Sequence, residues 1–277
     1  MPTTTYPYIL AIAMMASVGA SISTLEWIHG RRQLKDDGLF SWQVIGSRDF
    51  AVGPGILATT LNRLLSFRPF VGILILRSVA LLSLPIALWF GHGSVIVLSV
   101  IVFSSLLMHL RSPWGMDGSD QMFTQIFGAL LLGCVAGSPL AYKASLWYIA
   151  SQSCLSYLTA GVAKALSPHW HGTNVVFEIF NTRTYGYEPA ARFLLDRPQI
   201  SQALTWGAVV MECSFPIALV AGFPGCLLFV TWGISFHLMN AVAMGLNSFF
   251  WSFVATYPAV IYCALILEQF LYHRIRI

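Results

Sequence analysis

Charge is what this chain has least of. Asp, Glu, Lys and Arg make up 9% of its 277 residues, where a soluble domain carries about 25%. Hydrophobic residues make up 57%, and the mean hydropathy is +0.71. Such a chain belongs in lipid. About eight spans of roughly 20 residues fit this length, joined by short loops, which leaves no room for a large soluble domain. The net charge of +4 is modest. The basic residues other than Arg77 lie in loops or at span ends, so they read as topology signals, with the bilayer and not nucleic acid as the partner.

Other absences narrow the field. The five cysteines, Cys134, Cys154, Cys213, Cys226 and Cys263, form no Cys-x-x-Cys pair, and all lie in apolar segments. They read as small packing residues and not as a disulfide framework. Gly-x-Ser-x-Gly, P-loop and dinucleotide fingerprints are missing. No internal repeat or low-complexity tract is present. The first apolar segment lacks a basic leading region, so it is expected to be a retained span and not a cleaved signal peptide.

What is there is a series of apolar runs. Spans are expected at 6–26, 69–90, 94–110, 121–137, 143–165, 202–222, 224–244 and 248–270. The fold class is therefore an all-α, polytopic membrane helix bundle of about eight transmembrane helices, forming one integral membrane domain over 1–277. A polar, basic loop covers 27–49. Residues 50–67 contain Pro54, Asn62 and Arg63, which suit an interfacial helix better than a ninth span. Joints at Gly91-His-Gly93, Gly137-Ser-Pro139 and Gly222-Phe-Pro224 mark boundaries. Alternate loops carry Arg31, Arg32, Lys35, Arg48, Arg63, Arg68, Arg111, Lys164, Arg183, Arg192 and Arg197 on one side, and Lys143, Arg274 and Arg276 on the other. This asymmetry predicts an outside N-terminus and a cytoplasmic 166–200 loop. That loop, with Trp170, Phe177, Phe180, Tyr185, Tyr187 and Phe193, is expected to lie at the interface and to fold in part as short helices.

Polar residues inside apolar runs are the candidates for chemistry, because in lipid they face the bundle interior and pair. Glu26 and His109 lie near span ends and suit interfacial anchoring. Arg77 stands near mid-span and needs a partner or a wet cavity. An ion pair with Glu212 or Glu26 and a functional role are both open for it. Glu212 precedes Pro216, which frees a backbone carbonyl one turn back, so a local polar pocket and a purely structural role are both open for it. His237 and Asn240 are three apart and share a helix face, either as a packing pair or as a substrate contact. His169-Trp-His171 has the residue type of a metal ligand, but no third ligand stands at a typical spacing and no His-Glu-x-x-His is present. No metal is favoured, and histidines flanking a Trp anchor are the default.

The most informative stretch runs from Tyr157 to Gly172, where Lys164 closes an apolar helix and a Trp-x-Gly turn follows. Tyr157-Leu-Thr-Ala-Gly-Val-Ala-Lys164 with Trp170-His-Gly172 resembles the Tyr-x-x-Ala-Gly-x-x-Lys…Trp-x-x-Gly motif of the vitamin K-dependent γ-carboxylase membrane domain. Phe236-His-Leu-Met-Asn240, continuing to Pro258, is similar to that family's Phe-His-x-Met-Asn block. Ser112-Pro-Trp-Gly-Met-Asp-Gly-Ser-Asp120 resembles its Trp-containing loop more weakly. The wider group is the horizontally transferred transmembrane (HTTM) domain, which has many bacterial members. The resemblance covers roughly 70–265.

The resemblance implies a chemistry. The lysine matching Lys164 acts there as a base toward reduced vitamin K, oxygen adds, and the strong base that results drives carboxylation of a peptide glutamate with CO2. Applied to this chain, it implies a reduced quinone of the vitamin K or menaquinol kind as cofactor, O2 and CO2 as reactants, a peptide or small substrate, and a bacterial inner (cytoplasmic) membrane. Catalytic roles fall to Lys164 and His237, and binding roles to Asn240, Trp170, Glu212, Asp120 and Arg77. Desolvation by Ala160, Val162 and Leu166, with Trp170 as a shield, would favour a neutral amine at Lys164. Two departures bear on the carboxylation step. No large domain follows the spans to capture a propeptide, and Gly118, Ser119 and Asp120 stand where the carboxylase has a functional histidine. The alternative is a non-enzymatic membrane subunit for peptide-toxin maturation, partner binding or small-molecule transport. In either case Lys164, His237 and Asn240 are expected to converge on one cavity, with Glu212 or Asp120 near its rim.

Overall fold

The computed structural model describes residues 4–46, 55–112, 116–172, 174–184 and 186–275, with side chains to 271. Arg48, Pro54, Tyr185, Arg276, residues 113–115 and the side chain of Arg274 lie outside this description. Every regular element among the described residues is helical. Two compact units divide the chain, Met1–Tyr142 and Lys143–Ile277.

In the first unit, α1 (Tyr6–His29) is followed by a 3-10 turn, Arg31–Leu34, and a single helical turn, α2 (Trp42–Ile45). A short helix, α3 (Ile56–Leu65), then leads into α4 (Phe67–Phe90), α5 (Ser94–Arg111) and α6 (Gly118–Ala136). The helix α1 packs on α4 and on α6, α4 on α5, and α5 on α6, so four long helices close a ring. Glycines in the left-handed region end two of these helices, Gly91 (φ 71°) after α4 and Gly137 (φ 60°) after α6. A side chain is strained in that conformation, so these sequence joints mark boundaries for a steric reason.

Arg77 sits inside this ring. Its Nε donates to Thr24 Oγ1 of α1 at 3.1 Å, and its Nη1 to the Ile101 carbonyl at 2.9 Å and the Ser104 and Ser105 hydroxyls at 3.0 and 2.6 Å on α5. Of the two ion-pair partners left open for it, Glu26 forms none among the described residues, and Glu212 is paired with Lys164. Hydroxyls and a carbonyl satisfy the guanidinium instead, because its fork of donors matches several neutral acceptors at once. Asp120 is a capping residue of α6. The Asp117 side chain accepts from Ser119 N at 2.8 Å and Asp120 N at 3.2 Å, while Asp120 Oδ2 accepts from Asp117 N at 3.4 Å. This reciprocal box satisfies orphan donors of the first turn.

The second unit holds α7 (Pro139–Leu166), which starts at the junction, then a 3-10 turn at Pro168–His171, α8 (Val175–Phe180) and α9 (Glu188–Leu195). Next come α10 (Pro198–Ser214), running into a 3-10 turn to Leu219, α11 (Gly222–Met244), α12 (Asn247–Val254) and α13 (Tyr257–Ile275). The 166–200 segment folds into short helices as expected, with α8 packed on α9 and on α10.

Six stretches are long and apolar enough to cross a membrane: Tyr6–His29, Phe67–Phe90, Ser94–Arg111, Pro198–Leu219, Gly222–Met244 and Asn247–Leu271. The protein is an integral, multi-pass membrane helix bundle. The two further expected spans, 121–137 and 143–165, are helical as α6 and α7 but less apolar than these six. Asp120, Gln121 and Gln125 dilute α6, and Lys143, Gln152 and a series of serines dilute α7. Within the 50–67 segment a helix is observed over Ile56–Leu65, α3, with Ile56 and Leu57 exposed.

Candidate functional site

Lys164 stands in the last turn of α7, and Pro168, which cannot continue the helix, follows the exit at Ser167. Its Nζ donates to Glu212 Oε1 at 2.9 Å and Oε2 at 2.6 Å. Glu212 lies in the last turn of α10, which ends at Ser214, two residues before Pro216. Proline has no N–H for the carbonyl four residues back, and the Phe215 N–H binds the Glu212 carbonyl instead, tightening the chain into a 3-10 turn. The Glu212 side chain is buried, and that of Lys164 is 22% exposed. The Trp170 ring lies 5.3 Å from Nζ, within cation–π range.

Close approach of α7 and α10 makes the pair possible. At Gly161, one turn before Lys164, a Cβ would come 2.7 Å from Cys213 N and 2.9 Å from Glu212 Cβ. No residue larger than glycine fits that crossing without moving a helix.

Lys164, Glu212, Trp170, His237 and Asn240 all line one cavity of about 600 Å³ within the second unit. This is the size of pockets that bury small ligands. Apolar side chains dominate its wall: Val176, Ile179 and Phe180 of α8, Leu204 of α10, Trp232 and Phe236 of α11, and Phe249 and Phe253 of α12. Asp120 and Arg77 belong to the first unit and do not line this cavity. Val162 and Leu166 do not shield Lys164. At 41% and 77% exposure they face outward, since positions two residues away lie off the lysine's helix face. Ala160 and Trp170 are the apolar neighbours in the cavity wall.

His237 is buried, and its partner is not Asn240. Its Nε2 lies 2.8 Å from the Tyr157 hydroxyl, which lies 2.6 Å from the Tyr257 hydroxyl. The imidazole stacks on Phe253 at 4.4 Å and 19°, and the Tyr157 ring stacks on Phe215 at 4.0 Å and 28°. Gly233 leaves room for both hydroxyls, because a Cβ there would lie 2.3 Å from the Tyr257 oxygen and 3.1 Å from that of Tyr157. Sequence reasoning left both tyrosines out of the site. Tyr157 carried a usable signal, since it precedes Lys164 by seven residues, two turns along the same face. Tyr257 carried none.

The histidines of the turn after α7 have local partners. His171 Nε2 lies 2.8 Å from the Ala165 carbonyl, and its ring stacks on Trp206 at 5.7 Å. His169 Nε2 faces Glu178 at 3.4 Å on the surface. No metal-ligand cluster forms among the described residues, and all five cysteines are free. Set against family models, curated proteins and solved structures, the chain matches none.

Proposed function

We propose that this chain is a membrane enzyme that binds a reduced quinone in the second-unit cavity and uses Lys164 as the base toward its hydroxyl, in an oxygen-coupled, carboxylation-like modification of a peptide or small substrate. The observation that carries this proposal is the cavity itself: an apolar chamber whose wall holds one ion pair, Lys164 with Glu212. Its volume and apolar wall fit a lipid-soluble ring, and its polar groups can orient one oxygen. Bound quinol would supply the electrons that activate oxygen. The chain's own residues supply the rest. Glu212, with both oxygens on Nζ, is placed to take the ammonium proton, leaving a neutral amine to accept the hydroxyl proton. Trp170 covers the ammonium and restricts water. Asn240 offers an amide in the cavity wall. The carboxylation-like step and the reactants O2 and CO2 rest on the family resemblance.

A second proposal, a non-enzymatic membrane subunit, draws on the same ion pair, since a Lys164–Glu212 bridge between α7 and α10 can serve packing alone. Quinol consumption and oxygen uptake by the purified protein in nanodiscs separate the two. Turnover by the wild type that is lost in Lys164→Ala, with quinone binding retained, supports the enzyme. A wild type that consumes neither substrate leaves the subunit.

A further inference from the structure

In the first unit, α1 and α4 are both long and apolar enough to cross a membrane, and they pack on each other. The first ends at His29 and the second begins at Phe67, so the segment between them lies on one membrane face. The helix α5 returns to that face and ends there at Arg111. Its guanidinium fastens the segment down. Nη2 donates to the Leu34 carbonyl at 2.8 Å, and the charge lies over the Trp42 and Phe70 rings at 5.7 and 5.5 Å. Trp42 Nε1 donates to Asn62 Oδ1 at 3.1 Å, which ties α2 to α3. Leu34 and Leu65 are buried in one cluster with Phe70, Leu74, Leu107 and Met108. The described part of the segment is a foot fixed to the end of the bundle.

Leu57, Leu61, Leu64 and Leu65 recur at helical spacing and share one face of α3. Leu65 is sealed and Leu61 packs against the cluster, but Leu57 is 59% exposed. The leucine stripe therefore begins over the bundle and runs out past its edge. Thr59 and Arg63 are exposed on the opposite side of the helix. At the rim of a membrane bundle, the medium that meets such a stripe is the boundary between headgroups and acyl chains. Charge narrows the choice of lipid. Arg31, Arg32, Lys35, Arg63 and Arg68 are all exposed, and none pairs with a carboxylate among the described residues. Asp36 and Asp37 are the carboxylates described in the same segment. Clustered cations beside an apolar stripe at a membrane face attract anionic headgroups.

We propose that this foot is a binding surface for anionic phospholipid: α3 lies flat with its leucine stripe in the acyl boundary, and Arg31, Arg32, Lys35, Arg63 and Arg68 hold the phosphodiester headgroups around it. Continuity of the stripe with the lipid-facing rim of the bundle favours the bilayer over a protein partner. The inference is independent of the chemistry proposed for the second unit.

The test uses the full chain in vesicles of phosphatidylcholine and phosphatidylglycerol. A bimane label is placed at Leu57→Cys in a Cys134→Ser, Cys213→Ser background, where Cys154, Cys226 and Cys263 are buried. Brominated phosphatidylcholine or brominated phosphatidylglycerol serves as the quencher. Both should quench the label, and the anionic lipid should be enriched there about fivefold or more at low salt, the factor expected from one basic side chain near the surface. A label at Leu82→Cys, 69% exposed on α4, should show no preference. Arg63→Gln with Arg68→Gln should remove most of the preference at position 57, and so should molar salt. The unlabelled wild type gives a second measurement that needs no cysteine change. Native mass spectrometry should find phosphatidylglycerol retained over phosphatidylcholine, and the two glutamine substitutions should lower that retention. A label that neither lipid quenches, equal quenching by the two lipids, or retention unmoved by the substitutions overturns the proposal. So does a protein that cross-links to position 57 in native membranes and shields it from lipid.

Discussion

Glu212 holds the ammonium of Lys164 with both carboxylate oxygens, at 2.9 and 2.6 Å, although 48 residues separate them in the chain. The two halves of the pair are unequally placed. The carboxylate side chain is 4% exposed, whereas the lysine side chain is 22% exposed. Removing one partner of a buried pair costs about 3–5 kcal/mol, most of it from the stranded charge. Lys164→Met should approach that cost in thermal unfolding. Glu212→Gln should cost less, about 1–2 kcal/mol, because a long amine can reach toward the interface. Joining both changes should recover much of the loss. Equal costs for the single variants would show that burial does not govern the pair.

Lys164→Arg separates charge from proton transfer. The guanidinium can still pair with Glu212 and lie over Trp170, but it stays protonated. The expected outcome is a folded, quinone-binding protein with no turnover. Wild-type oxygen uptake by this variant would end the base assignment and favour the subunit.

Gly233→Ala should disorganise the tyrosine pair. The new methyl would fall 2.3 Å from the Tyr257 hydroxyl oxygen, and overpacking of this kind costs about 1–3 kcal/mol. Adding Tyr257→Phe removes the nearest clashing atom, so the double variant should melt above the single one. If it melts no higher, the steric account of Gly233 is mistaken.

Gly161→Ala acts on the helix crossing and not on the hydroxyls. The added carbon meets the Cys213 backbone nitrogen at 2.7 Å, an atom that cannot rotate away. The helices α7 and α10 must separate, and the Lys164–Glu212 pair must lengthen. Lower melting temperature and weakened activity together are expected. A variant that loses neither would mean the crossing is loose.

Arg77 gives a contrast in the first unit. Thr24, Ser104 and Ser105 each also donate to a carbonyl of their own helix. Their donor hydrogens therefore stay satisfied when the guanidinium is removed. Arg77→Met should cost no more than about 1 kcal/mol, since the desolvation cost of the charge goes with it and its neutral partners leave no stranded charge. Arg77→Lys, which buries a compact charge without the fork geometry, should be worse. Melting of the two variants in the reverse order would count against this.

The spans were legible because apolar runs and glycine joints act locally. The expected limits of 224–244 and 94–110 fall within a few residues of α11 and α5. Span strength was less legible, because helicity and apolarity part company in α6 and α7. Of the site, Lys164, Glu212, His237 and Asn240 were found from the cost of polar groups in lipid and Trp170 from the family resemblance, and they line one cavity. Asp120 looked alike by that criterion, yet its position three residues after Asp117 was the capping signal that places it. The tyrosines, though they stand in the quoted motifs, were not assigned to the site, because a phenol is at ease in an apolar run until its hydroxyl is seen to have a partner.

The stacking of Tyr157 against Phe215 has a thermodynamic consequence. Its ring also meets Phe253 edge-on at 5.0 Å and Trp232 at 6.1 Å. A phenol gripped on several sides has given up its rotamer freedom by the time the chain is folded. A ligand that reaches His237 therefore meets a wall already in its bound shape, and the ordering cost falls on folding and not on association. Loosening the grip, with Phe215→Ala for example, would move that cost into the binding step as a less favourable entropy at unchanged contacts.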